Sequence, residues 1–123
     1  MRLNKQIVMH IMKDANGFDM TRELVENSRE SFPLKPIMYN QQGKFKEYDR
    51  NMKDKMLSEH YLNNTQIIGC ICSDSITIED NTVYADIFIF ESQLSKWNGK
   101  YDNWQIQLSD DNKSFELCAI EVF

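Results

Sequence analysis

The sequence predicts an α+β fold, mainly an antiparallel, curled or barrel-like β-sheet with two helices packed on it. Three observations predict it. From residue 66 onward the chain is a series of short apolar or alternating runs, punctuated by turn residues at hairpin spacing. The first half holds two segments with apolar residues at helical spacing. Gly and Pro are scarce, at 4 and 2 copies, and 41% of the chain is hydrophobic, enough to bury one modest core. A length of 123 residues makes one domain, 1–123.

"KQIVMHIM" (5–12) reads as a first strand of poor alternation, and "ANGFDM" as the turn after it. Asp19 or Thr21 can cap a helix, because a short side-chain oxygen satisfies the free amides of the first turn. Leu24, Val25, Ser28 and Phe32 then share one helical face, Glu23 and Glu26 favour the helix N-terminus, and Pro33 stops it. "KPIMYN" (35–40) is a short extended segment before the polar loop "QQGKFKEYDRN". A second helix is expected over "KDKMLSEHYL" (53–62), stopped at Asn63-Asn64. Strands follow at "QIIGCIC" (66–72), "SITIE" (75–79), "TVYADIFIF" (82–90), "NWQIQL" and "SFELCAIEVF". "EDN" between the second and third of these is hairpin chemistry, and "ESQLSKWNGKYD" is a connector with room for one helical turn.

Composition excludes several functions. No stretch approaches the roughly 18 apolar residues of a membrane span. The N-terminal apolar run is broken by His10 and lacks a small-residue cleavage site, so we read it as a strand and expect a cytoplasmic protein with reduced cysteines. Net charge is −5, which disfavours direct nucleic-acid binding. The charge is uneven. Residues 1–65 hold eleven Lys or Arg against nine Asp or Glu, whereas residues 66–123 hold three against ten. Between Lys55 and Lys96 there is no basic residue, while Asp74, Glu79, Asp80, Asp86 and Glu91 are all acidic. Such a face either aids solubility or docks on a basic groove of a protein partner.

No cofactor or metal is expected. Cys70 and Cys72 lie on one strand face about 6–7 Å apart, from a rise of about 3.3 Å per residue. Zinc needs two more ligands, and only Cys118, His10 and His60 are available, all distant in sequence. Buried thiols are the simpler reading. The acids are spaced too irregularly for a calcium loop, and Gly43, Gly69 and Gly99 form no phosphate-binding pattern. His60 as a general base has no evident partner, and a helical histidine beside Tyr61 explains it without chemistry. "KWNGKYDNW" (96–104) stands out for recognition. Trp97, Tyr101 and Trp104 on a polar connector can anchor an interface, or Trp97 and Trp104 can cover one end of the core.

The order "LKPIMY" (34–39), "HYLNNTQIIGCI" (60–71), "VYADIFIF" (83–90) and "WQIQL" (104–108) resembles that of phage prohead (head-maturation) proteases and their scaffold-protease relatives. The resemblance covers roughly residues 20–123 and rests on pattern, not on a strict motif. It implies a histidine, here His60, that activates a serine on a later strand. At the serine position this chain has Gln105 or Gln107, and an amide cannot attack a carbonyl. Ser109 and Ser114 sit in the adjoining turn, so Ser109 with His60 is the residual catalytic pair to test.

The sequence-level expectation is therefore a small phage- or prophage-type protein that binds rather than catalyses. Its partner is a protein such as a host defence nuclease, which it inhibits in the manner of anti-CRISPR proteins. Partner-binding residues are Asp80, Asp86, Glu91, Trp97, Tyr101 and Trp104. Rival readings are a head-assembly scaffold or prohead-protease-like protein, and a structural homo-oligomer built through a sheet edge.

Overall fold

The structure, a computed structural model, describes residues 1–13, 18–40 and 65–123. A seven-stranded mixed sheet dominates it. Its strands are β1 (Arg2–His10), β2 (Pro36–Asn40), β3 (Thr65–Ile71), β4 (Thr77–Glu79), β5 (Thr82–Ile89), β6 (Asn103–Leu108) and β7 (Phe115–Val122). The order across the sheet is β1-β5-β3-β2-β7-β6, and β4 pairs with β5. Helix α1 (Arg22–Ser28) continues into a 3-10 turn, Arg29–Ser31, and a second 3-10 turn covers Glu91–Lys96. The expected helix over 53–62 lies outside the described residues.

The sheet is mainly antiparallel, as expected, with one exception: β2 runs parallel to β7, with Ile37 opposite Ile120 and Tyr39 opposite Val122. Of the two expected shapes, curled or barrel-like, the barrel is corrected, since the described strands do not close. The sheet's curl brings β1 near the chain just before β6, but the contact is one isolated bridge, Ile7 to Lys100, with the Tyr101 N–H on Ile7 O at 3.2 Å. The Tyr101 hydroxyl strengthens that tie by accepting the His10 N–H at 3.0 Å.

Local chemistry explains the elements. Thr21, not Asp19, caps α1, accepting from the Leu24 N–H at 3.1 Å. The poor alternation of β1 reflects two register shifts, between Leu3 and Gln6 and between Ile7 and Met9. Lys5 there adopts a left-handed φ of 50°. In β3, a Cβ on Gly69 would lie 1.9 Å from Phe88 O, so only glycine lets β3 meet β5 at this point. The core unites Val8 and Met9 of β1, Leu24 and Val25 of α1, Phe32, Ile37, Ile87, Ile89, Leu117 and Ile120.

β2 reaches only the second half of β7. Along the first half, α1 and its 3-10 extension supply the missing partners. Ser28 Oγ accepts the Phe115 N–H at 2.7 Å and donates to Leu24 O at 2.6 Å. Ser31 Oγ accepts the Leu117 N–H at 2.9 Å and donates to Ser28 O at 2.7 Å. Two hydroxyls thus replace a strand.

Between the 3-10 turn and β2 the chain reverses over Phe32-Pro33-Leu34-Lys35, closed by the Lys35 N–H on Phe32 O at 3.2 Å. Leu34 takes the third position with φ 66°, where a type II turn favours glycine, and its side chain is 68% exposed.

Two measurements check these accounts. Leu34→Gly should raise unfolding free energy by up to about 1 kcal/mol in urea, since it relieves left-handed strain and sacrifices little buried surface. An unchanged or lower midpoint would refute the strain. Ser28→Ala should cost about 2 kcal/mol, because it leaves a buried N–H unsatisfied.

Candidate functional site: the outward face of β5

Along β5 the buried residues Val83, Ala85, Ile87 and Ile89 alternate with Tyr84, Asp86 and Phe88. The period of two therefore sends one row into the core and the other to the opposite face. Two neighbourhoods result.

The first is ionic. Asp86 Oδ2 accepts from Arg2 Nη2 at 2.8 Å and Nε at 3.2 Å, while its Oδ1 accepts the Lys5 N–H at 2.9 Å. Arg2 Nη2 also reaches Asp74 Oδ1 at 3.1 Å, and Lys5 Nζ meets Glu79 Oε2 at 2.9 Å. Lys5 Nζ further lies 5.1 Å from the centre of the Tyr84 ring. Arg2, Lys5, Asp74, Glu79 and Asp86 line an open groove of about 370 Å³ with Ser75 and Thr77. The Lys5 amide, and then the Arg2 guanidinium, hold the Asp86 carboxyl below its ordinary range. Asp86 is thus the tie between the irregular first strand and β5, with its charge already met.

The second neighbourhood is apolar. Phe88 and Phe90 are 40% and 49% exposed, and their rings meet edge to face at 5.8 Å. The Phe90 N–H bonds Ile68 O, which brings this pair to β3 beside Ile67, itself 54% exposed. Glu91 follows directly and is exposed.

The expected site residues separate. Asp80 sits exposed in the β4–β5 turn, with φ 53° and its carbonyl taking Arg22 Nη1 at 3.0 Å. Asp86 lies within β5 and Glu91 beyond its far end, so the three acids are strung along a strand and do not form one cluster. Trp97 and Trp104 are core residues, only 8% and 4% exposed. Trp97 Nε1 donates to Gln6 Oε1 at 2.8 Å, and Phe18 packs edge-on against Trp104 at 5.5 Å. Tyr101 is half-buried against His10. Of the two readings of that connector, the core reading describes both tryptophans. Among the described residues the exposed aromatics are Phe88 and Phe90, which sequence reasoning passed over. Residues 87–90 are all apolar, but the phase set by Tyr84 and Asp86, carried forward by two, places Phe88 and Phe90 on the outward row, a signal present in the sequence.

The residues weighed for chemistry are engaged otherwise. Ser109 Oγ donates to Asp111 Oδ1 at 2.7 Å and accepts the Ser114 N–H at 3.2 Å, a turn-closing arrangement. Its proposed partner His60 lies outside the described residues. The thiols expected to be buried are not fully so. Cys70 and Cys72 are half-buried and Cys118 is exposed. Partial desolvation still raises the Cys72 and Cys118 thiols above their ordinary value, which disfavours the reactive thiolate. His10 Nδ1 lies 3.1 Å from the Tyr101 hydroxyl. Among the described residues no three His, Cys, Asp or Glu side chains group as a metal site.

No family model, curated protein or solved structure matches the chain.

The Asp86 tie predicts an acid-dependent loss of stability. With its folded pKa lowered, its contribution is complete above the unfolded value of about 3.9 and disappears as pH falls through the folded value. Asp86→Asn should flatten the stability curve between about pH 5 and pH 2, leaving a smaller slope from Asp111 and Glu116, which are lowered likewise. Urea titrations giving superimposable pH profiles for both proteins would show that this carboxylate does not stabilise the fold.

Proposed function

We propose that this chain is a non-catalytic binding protein of phage or prophage type that works in the host cytoplasm by covering a surface of another protein. The role that suits it best is inhibition of a host defence nuclease, in the anti-CRISPR manner. The observation that carries the reading is the exposed Phe88 and Phe90 pair, with Ile67 exposed on the neighbouring strand β3. Each such side chain is about half exposed, so burying the rest in a partner is worth roughly 0.7–1.5 kcal/mol, whereas an exposed rim ion pair contributes about 0.2–1 kcal/mol. Affinity therefore rests on the aromatics. The acidic half of the chain serves approach to a basic groove, of the kind a nuclease uses for nucleic acid. No helix among the described residues is long and apolar enough to cross a membrane.

This assignment of energies refines the acidic-docking idea. Reversing Asp86 would break the Arg2 and Lys5 ties as well as any interface, so it cannot isolate a docking role. Glu91 is the cleaner choice among the acids.

The test is affinity capture from host lysate, followed by binding measurements on the purified candidate. A captured defence nuclease should lose at least tenfold in affinity to the Phe88→Ala/Phe90→Ala double variant, while folding stability changes little because both rings are exposed. Glu91→Lys should slow association and reduce its salt dependence. Capture of capsid or portal proteins instead would return the chain to head assembly. Full-strength nuclease binding by the double variant would sink the aromatic face as the contact.

A further inference from the structure

The two ends of the sheet are finished differently. At one end β1 carries Arg2 and Lys5, two register shifts and a left-handed residue, and the Tyr101 segment covers part of its edge. Charges, bulges and covering segments are the devices by which proteins prevent another strand from adding to an edge. At the other end, among the described residues, β6 has none of them. "NWQIQL" contains no charge, proline or glycine, and in the β6–β7 ladder the extra residue belongs to β7.

The phase of that ladder fixes what β6 offers. Ser109 N–H bonds Ser114 O at 2.9 Å across the hairpin. Phe115 and Leu117 turn their N–H groups the other way, to Ser28 and Ser31. Their partners across the ladder, Leu108 and Ile106, must then direct N–H and C=O away from β7 as well. Those four groups face the outer edge of β6, and no described strand pairs with them. Gln107 between them is exposed, and Gln105 is half-exposed.

We propose that β6 is a strand-addition site for an extended segment of a partner protein, one with an uncharged, β-favouring stretch flanked by Lys or Arg. Backbone hydrogen bonds to Ile106 and Leu108 supply the register. The flanking charges follow from the ends of the strand, where Asp102 precedes β6 and Asp110 and Asp111 follow it, all three exposed. The same acids disfavour a second copy of this chain, since antiparallel pairing of two β6 strands would set Asp102 of one near Asp110 of the other. The edge is a different element from the Phe88 and Phe90 face, since β3, β2 and β7 stand between β5 and β6 in the strand order. The proposal goes beyond the function above and does not depend on it.

The probe is a fluorescein-labelled peptide of six alternating Val and Thr residues with two lysines at each end, alongside the same core flanked by glutamates. Anisotropy should show saturable binding of the lysine peptide, at least tenfold tighter than the glutamate one. Hydrogen exchange at the Ile106 and Leu108 amides should slow at least tenfold on its addition. Leu108→Pro removes an outward N–H without removing a bond to β7 and should abolish binding. Gln107→Lys, an exposed change, should weaken binding of the lysine peptide without altering the fold, which guards against a misfolded proline variant. Unslowed exchange at both amides with saturating lysine peptide overturns the proposal. So does self-association that Leu108→Pro abolishes, which would make the occupant a second copy.

Discussion

Phe115 and Leu117 give their outward N–H groups to the hydroxyls of Ser28 and Ser31, and the remaining architecture depends on this pair of bonds. An unsatisfied buried amide costs about 1–3 kcal/mol, so β7 could not sit inside the sheet with half of one side unpaired. β2 covers only Ile120 to Val122, and the serines complete the strand. Each hydroxyl also donates back to a helix carbonyl, which fixes the helix as firmly as the strand. The bonds thus position Leu24 and Val25 over the core and set the ladder phase that orients β6.

A sheet ordered this way has unequal ends. Near the first, Asp86 fastens a bulged and charged β1 to β5, and Tyr101 joins β1 to the connector before β6. Near the second, Gln105 and Gln107 decorate a regular strand that carries no charge. The polar residues in the position where the protease resemblance asks for a nucleophile thus lie on the outermost strand. The turn serine beside them closes a hairpin through Asp111.

Much of the fold was legible from local pattern. β3, β5, β6 and β7 stand within a residue or two of the runs read from sequence, because apolar periodicity and turn residues act on neighbouring positions. The start of α1 was legible to within two candidate caps. β1 was displaced, since its bulges disrupt the period on which the reading relied. The site was less legible. Trp97, in a polar connector, and Trp104, at the start of β6, are both buried, which the polar residues around them do not suggest. Phe88 and Phe90 belong to an unbroken apolar run, where the phase carried forward from Tyr84 and Asp86 marks them as outward.

By itself the sequence determined the α+β class, the acidic second half and the position of most strands. These depend on composition and on residues a few positions apart. Only the tertiary structure decided that β2 runs parallel to β7, that the sheet stops short of closure, and that Trp97 and Trp104 are buried. A parallel pair has no connecting hairpin to mark it, and burial depends on what packs from elsewhere in the chain. Ser28 states the division most simply: the helical period places it on the inward face, but only the fold brings Phe115 to its hydroxyl.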